Sequence, residues 1–430
     1  MPLKGDPAVK KLFLFILIST LVFAAFPALA QGQVYEVDNA ADFDYYMENA
    51  EDGSTIRLTK DISAMGSANV TSSLILDLNG HTLRDGRSGS MKGQIIWVQS
   101  SGQLVITGNG VIEKDLPAPN LLYADGRMDI MNGVIRFKPY TLGENGISKD
   151  PTHLGSLIVS RVNAAQGYQG YVNVYGGTLD GGYRNPRDVA EYEPQHPQHL
   201  IYPILNEHNS HTGGITVYGG TIVDAHPNLG EGNPEDGVVN GTRTWYLKGQ
   251  TGPDQIPDGY VISSEEKAGH TLYTTDFLFT ITARKKVISL TDEEMSPAGF
   301  TLRLVDSATG ETVDSAITGA DGTAVFTLKT SDMGKVFTLE EEKGALPGML
   351  YDDTAYQVAV VPGGEATSFA PTAQISLNGQ TVNEALFVNT WSGAVTPPPT
   401  GDASAPAVYL FLLLGCAAAL TLLRRKSSAR

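Results

Sequence analysis

Two hydrophobic patterns follow one another along this chain, and a continuous apolar run lies near each end. Between residues 34 and 270, short alternating stretches close on Asn-Gly or Gly-Gly: Leu74-Ile75-Leu76-Asp77-Leu78-Asn79-Gly80, Leu104-Val105-Ile106-Thr107-Gly108-Asn109-Gly110, Met128-Asp129-Ile130-Met131-Asn132-Gly133, Val172-Asn173-Val174-Tyr175-Gly176-Gly177 and Ile215-Thr216-Val217-Tyr218-Gly219-Gly220. Alternation predicts strands, and the glycine predicts a sharp turn before a second short strand such as Thr178-Leu179 or Thr221-Ile222. Counted on the second residue of each pair, the intervals are 30, 23, 44 and 43 residues, which predicts a period near 22. On that period, each long interval holds one poorly marked coil and the first holds an insertion. Ahead of the repeats, Asp42-Phe43-Asp44-Tyr45-Tyr46-Met47 reads as a helix and Thr55-Ile56-Arg57-Leu58 as a strand, so a short helix is expected to cover the open end.

Coils of this kind cannot bury their apolar faces alone, and stacking joins those faces into one core. The segment resembles the right-handed parallel β-helix proteins of pectin-lyase type, with a β-sandwich of short strands as the other architecture compatible with the pattern. Enzymes on that fold cleave acidic polysaccharides, which requires convergent carboxylates, with calcium and a base in the lyases. Asp77, Asp125 and Asp129 fall at or near expected coil corners, where aspartate commonly bonds its own turn. No convergent set is apparent, and no multiple-turnover enzyme activity is expected.

From Phe277 the alternation becomes strict. Phe277, Phe279, Ile281, Ala283, Lys285 and Val287 share one strand face; so do Phe337, Leu339 and Glu341, and Phe387, Asn389 and Trp391. Lys286, Glu340 and Glu342 fall on the opposite faces. Together with Phe300-Thr301-Leu302-Arg303-Leu304-Val305-Asp306, Asp321-Gly322, Tyr351-Asp352 and Tyr356-Gln357-Val358, this region resembles the isopeptide-linkage domain of streptococcal-type pilins. The resemblance implies a pilin-type β-sandwich in which Lys285 attacks the carboxamide of Asn389, with Glu341 assisting. Burial suits that chemistry, because it lowers a lysine pKa and raises that of a nearby carboxyl.

The ends carry processing signals. Lys10-Lys11 precede an apolar stretch from Leu12 to Phe26 that closes on Ala28-Leu29-Ala30, the small-x-small pattern a signal peptidase accepts. Near the other end, Pro397-Pro398-Pro399-Thr400-Gly401 precedes an apolar run from Ala407 to Leu423 and then Arg424-Arg425-Lys426. The run is long enough to span a bilayer, with its basic end cytoplasmic. The motif resembles the Leu-Pro-x-Thr-Gly sorting signal of Gram-positive surface proteins, with Pro397 in the leucine position. That resemblance implies a sortase that cleaves between Thr400 and Gly401 and joins Thr400 to peptidoglycan.

Charge sharpens the picture. The chain of 430 residues has 30 basic and 47 acidic side chains, and removing the seven basic and two acidic residues of its two ends deepens the net charge from −17 to −22. Such a surface argues against nucleic acid as a partner. The single cysteine, Cys416, lies in the apolar run, so the exported part has no disulfide to stabilise it. The stretch from Asp188 to Thr212 breaks the period and reads as a polar loop; its His196, His199, His208 and His211 form two His-x-x-His pairs that could ligate zinc or nickel. No cofactor is expected.

The organisation expected is therefore all-β: a signal segment over 1–30, a parallel β-helix over 31–272 with a capping helix, an isopeptide-linkage sandwich over 273–392, a proline-rich linker over 393–406, a spanning helix over 407–423 and a basic tail over 424–430. Display on a Gram-positive cell wall, with adhesion to a host or microbial glycan or protein, is the leading functional expectation. A polysaccharide-degrading enzyme and a sortase-polymerised fimbrial subunit are the competing classes. Lys138-Pro139 does not match the lysine motif expected of the last of these.

Overall fold

The computed structural model describes residues 32–87, 93–115, 120–138, 156–163, 167–181, 205–208, 214–223, 247–250, 255–364 and 369–393. These residues are predominantly β. The signal segment with Ala28 and Ala30, the sorting motif with Pro397, Pro398, Thr400 and Gly401, and the apolar run over 407–423 lie outside them. Among the described residues no helix is long and apolar enough to cross a membrane.

The first region is a three-sided stack. One side holds Val34–Val37, Thr55–Leu58, Ser73–Asp77, Gln103–Thr107, Arg127–Ile130, Tyr171–Val174 and Ile215–Val217, each parallel to the next. A second holds Ile62–Ala64, Thr82–Asp85, Val111–Asp115, Val134–Lys138, Thr178–Asp180 and Gly219–Val223, again parallel. The third holds Ala68–Val70, Ile96–Val98, Leu122–Ala124, Ile158–Asn163 and Leu205–His208. From Thr55 onward the chain visits the sides in that order on every turn. A sandwich built of hairpins would pair its neighbours antiparallel, which these strands do not.

Register places like residues above one another. Leu76, Ile106, Ile130, Val174 and Val217 form one buried ladder. Leu83, Ile112, Ile135, Leu179 and Ile222 form a second from the adjoining side. Full burial of each such side chain contributes about 1.5–3 kcal/mol, so the repeat itself supplies the core. The corner must also stay narrow. Gly177 has φ +80°, and a Cβ there would stand 2.6 Å from the Gly133 carbonyl oxygen of the turn beneath it. At the end of the stack, Ala40–Asn49 is a helix capped by Asn39, whose side-chain oxygen accepts from the Asp42 N–H at 3.0 Å. Phe43 and Met47 turn inward from it and are buried.

Three sequence expectations change. The long intervals do not contain an extra coil: Ile130 pairs directly with Val174, and Val174 with Val217, so each interval is a single turn whose excess length falls mainly in 139–155 and in 182–214 apart from a short strand. That strand, Leu205–His208, sits on the third side inside the stretch expected to be all loop. In the turn ending at Gly110, the residue with left-handed φ is Gly108, not Gly110.

The second region is joined to the first by one strand of 20 residues, His270–Ser289, so the boundary expected at 272/273 falls within a continuous element. Its first half lies antiparallel between Gly219–Val223 and Tyr260–Lys267 and so closes the second side of the stack. Its second half lies between Thr323–Lys329, antiparallel, and Ala385–Trp391, parallel. A separate antiparallel sheet, in the order Thr312–Ile317, Thr301–Asp306, Val336–Glu341, Ala355–Val361, Thr372–Leu377 and Gln380–Val382, packs against that half. Ile281, Ala283, Phe326 and Phe387 from one sheet meet Leu302, Leu339, Val358 and Ile375 from the other in a single core.

The two regions also touch side to side. Phe369, on the connection after Ala355–Val361, is buried against the first side of the stack, with the Arg127 guanidinium 4.2 Å from its ring centre and Tyr171 beside it. Tyr175 donates its hydroxyl to the Phe369 carbonyl at 2.6 Å, and Arg127 donates to the Gly363 carbonyl at 3.2 Å. Thr330 ties the joint from below, donating to the Tyr218 carbonyl at 2.9 Å and accepting from the Phe277 N–H at 3.0 Å. Phe369→Ala is expected to destabilise the protein by about 3 kcal/mol. Thermal unfolding should show a lower midpoint, and limited proteolysis should cleave the 362–371 connection sooner.

Candidate functional site

The strand faces read from the sequence converge on a buried trio. Lys285, Glu341 and Asn389 are 4, 6 and 0% exposed, whereas Lys286 on the same strand faces solvent. Lys285 and Asn389 come from adjacent parallel strands in which Val287 lies opposite Asn389. The asparagine is thus diagonal to Lys285 on one face, within reach of a long side chain. Glu341 reaches the pair from the facing sheet.

The carboxylate bridges the two nitrogens. Lys285 Nζ donates to Glu341 Oε2 at 2.7 Å, and Asn389 Nδ2 donates to Glu341 Oε1 at 2.8 Å. Asn389 Oδ1 accepts the Asp352 main-chain N–H at 2.8 Å. Because a main-chain N–H can only donate, that contact fixes which way the carboxamide points. The Phe300 ring lies 5.0 Å from Lys285 Nζ and walls the ammonium on another side.

Burial lowers the Lys285 pKa, and the neighbouring Glu341 and Asp352 only partly oppose it. At Asp352 burial pushes the pKa up, but hydrogen bonds from Thr354 and Val388 and the charge of Lys285 prevail, and the carboxyl is held below its ordinary value. A neutral amine is therefore easier to reach here than in water. Proton transfer from Lys285 to Glu341 would free an electron pair on Nζ beside an oriented carboxamide. The other Glu341 oxygen already faces the nitrogen that would leave.

The carboxylates of the stack are arranged differently. Asp77 pairs with Arg57 at 2.9 Å, and Asp125 takes two hydrogen bonds from Arg161, at 2.7 and 2.5 Å, and one from Trp97 Nε1 at 2.9 Å. Asp129 lies one residue from the end of Arg127–Ile130, near a corner, but it does not bond its own turn: it is fully buried, accepting from Arg127 Nε at 3.0 Å and from Asn173 Nδ2 at 2.8 Å. Its Oδ2 is within 2.7 Å of Arg127 Nη2 without forming a hydrogen bond. Burial raises the Asp129 pKa despite the arginine. Each of the three is engaged by a guanidinium, and the structure does not bring them together.

His196, His199 and His211 lie outside the described residues, and of His208 only the backbone is described, at the end of Leu205–His208. Among the described residues no group of three or more His, Cys, Asp or Glu side chains could hold a metal ion. Two features escaped the sequence reading. One is the Asp352 N–H, since a main-chain contact leaves no residue-type signal. The other is Lys114, fully buried in the stack and bonded to the Gly93 carbonyl at 2.6 Å and to Asp85 at 3.1 Å.

No family model matches this chain, and no curated protein does. Two solved structures of substituted forms of the major pilin from Streptococcus pyogenes are similar to it, each at 18% identity and a TM-score of 0.20, covering 26% of this chain and 50% of the pilin chain. The chain thus spans about half the length of the pilins it matches.

Proposed function

We propose that this chain is a pilin-like protein of the Gram-positive cell surface, in which a right-handed parallel β-helix head stands on a sandwich stalk crosslinked by an amide between Lys285 and Asn389. The observation that carries the reading is the placement of one buried carboxylate, Glu341, with an oxygen on each of the two nitrogens that must exchange protons. Lys285 passes a proton to Glu341, and the neutral Nζ attacks Asn389 Cγ. Glu341 then protonates Nδ2, which leaves as ammonia, and takes the second proton from Nζ. The products are an amide, one ammonia and a neutral Glu341, with atoms and charge balanced. The buried ion pair is discharged in the process, which removes its desolvation cost.

Closing a loop of about a hundred residues this way would stabilise the stalk by roughly 4–5 kcal/mol in the chain-entropy picture of crosslinks. In this reading signal peptidase cuts after Ala30, sortase joins Thr400 to peptidoglycan, and the stack is held out to bind a glycan or protein. Adhesion rather than cleavage is supported by the arginines engaged by Asp77, Asp125 and Asp129.

Intact-mass measurement on the exported fragment, 31–396, tests the stalk. Wild type and Lys286→Ala are expected to lack one ammonia, while Lys285→Ala, Glu341→Ala and Asn389→Ala keep their full calculated mass. An uncrosslinked wild type would refute the assignment. A glycan array with the same fragment tests the head: retention of a glycan without new reducing ends or unsaturated products is expected, and cleavage would move the protein to the enzyme class.

A further inference from the structure

Asp352 makes more contacts around the acceptor than a turn residue needs. It lies between the short strand Met349–Leu350 and Ala355–Val361. Met349–Leu350 pairs with the last strand only at Trp391 and Thr390, so the ladder stops one residue short of Asn389. Beyond that point the Asp352 side chain takes the place of a strand partner: Oδ2 accepts the Val388 N–H at 2.6 Å, and Oδ1 accepts the Thr354 N–H at 2.8 Å. The same residue sends its own N–H to Asn389 Oδ1 at 2.8 Å. The residue before the acceptor and the acceptor's carbonyl are thus held by one amino acid.

When Nζ adds to Cγ, the electron pair displaced from the carbonyl settles on Oδ1. Glu341 faces the two nitrogens, and the Asp352 N–H is the donor seen on Oδ1 among the described residues. A preorganised donor aimed at an oxygen that gains charge lowers the barrier more than it stabilises the resting amide.

We infer that the Asp352 main-chain N–H is the oxyanion donor for amide formation, and that the Asp352 carboxylate is a positioning group that fixes this N–H by gripping Val388 and Thr354. The inference rests on the crosslink proposed above and adds the group that stabilises its tetrahedral intermediate.

The test follows crosslinking in time. The full chain is made by cell-free translation, translation is stopped, and digests of successive samples are scanned by mass spectrometry for the joined Lys285 and Asn389 peptides. Replacing Asp352 by its α-hydroxy acid puts an ester oxygen in place of the N–H while keeping the side chain, and is expected to slow joining about a hundredfold. Asp352→Ala is expected to slow it as well, and Asp352→Asn, which keeps an acceptor for Val388, to recover part of the rate. Thermal unfolding of unjoined samples, prepared with Asn389→Ala, reports separately on stability. A purely structural role would lower the midpoint and leave the ester's joining rate at the wild-type value, and that result overturns the inference alone. Failure of wild type to join overturns the crosslink itself.

Discussion

A lysine ammonium held out of water is the constraint on which the second region depends. Moving such a charge from solvent into a protein costs several kcal/mol, and an opposite charge repays it only when geometry is good. Around Lys285 the repayment is incomplete, since burial still lowers its pKa with Glu341 in contact. The stack offers a comparison in Lys114, equally buried. There Asp85 is gripped also by Arg87, at 2.8 and 3.1 Å, so two cations hold one carboxylate. Lys114 thus meets a shared carboxylate and a main-chain carbonyl, whereas Lys285 shares its carboxylate with the Asn389 carboxamide, the group it attacks in the reaction proposed above.

The topology would give the proposed Lys285–Asn389 bond a mechanical role. Tension from an envelope anchor would enter after Trp391, on the last strand. Asn389 lies two residues inside that strand, and Lys285 lies on the strand that runs back into the stack. Once joined, the load would pass from Asn389 to Lys285 and along His270–Ser289 to Gly219–Val223, bypassing residues 286–388. The two strands are parallel and would be pulled from opposite ends, so their ladder is loaded in shear and its hydrogen bonds share the force. The contacts of Phe369 and Thr330 complete the joint by docking the sandwich's own loops on the stack.

What the sequence disclosed follows from what a pattern can encode. A two-residue period fixes the face on which a side chain falls, so Lys285 could be separated from Lys286, and Glu341 from Glu340, before any coordinates. The Thr55–Leu58 strand was legible for the same reason, and the capping helix from the helical spacing of Phe43 and Met47, four residues apart on one face. Interval counting failed where a turn of the stack carries a long excursion, because a multiple of the period and an insertion have the same length. Burial of Asp129 was hidden too: its partner Arg127 is held by Phe369 and Gly363, more than 230 residues away, contacts no local pattern records.

Without disulfides, the stack must keep its register by other means, and its outer faces show how. Arg57 lies beside Asp77 on the neighbouring turn, and Glu113 accepts from Arg84 below and Arg136 above, at 2.8 and 3.0 Å. Exposed single pairs of this kind contribute little. Glu113, however, is 1% exposed and is held by arginines of the turns on either side, so a slip of two residues, which keeps the faces, would draw a buried carboxylate away from them. A slip of one residue would turn a strand's apolar side chains outward, so the inner ladders forbid it; they accept Leu, Ile or Val at most levels, and against a slip of two it is the charge ladder outside that discriminates.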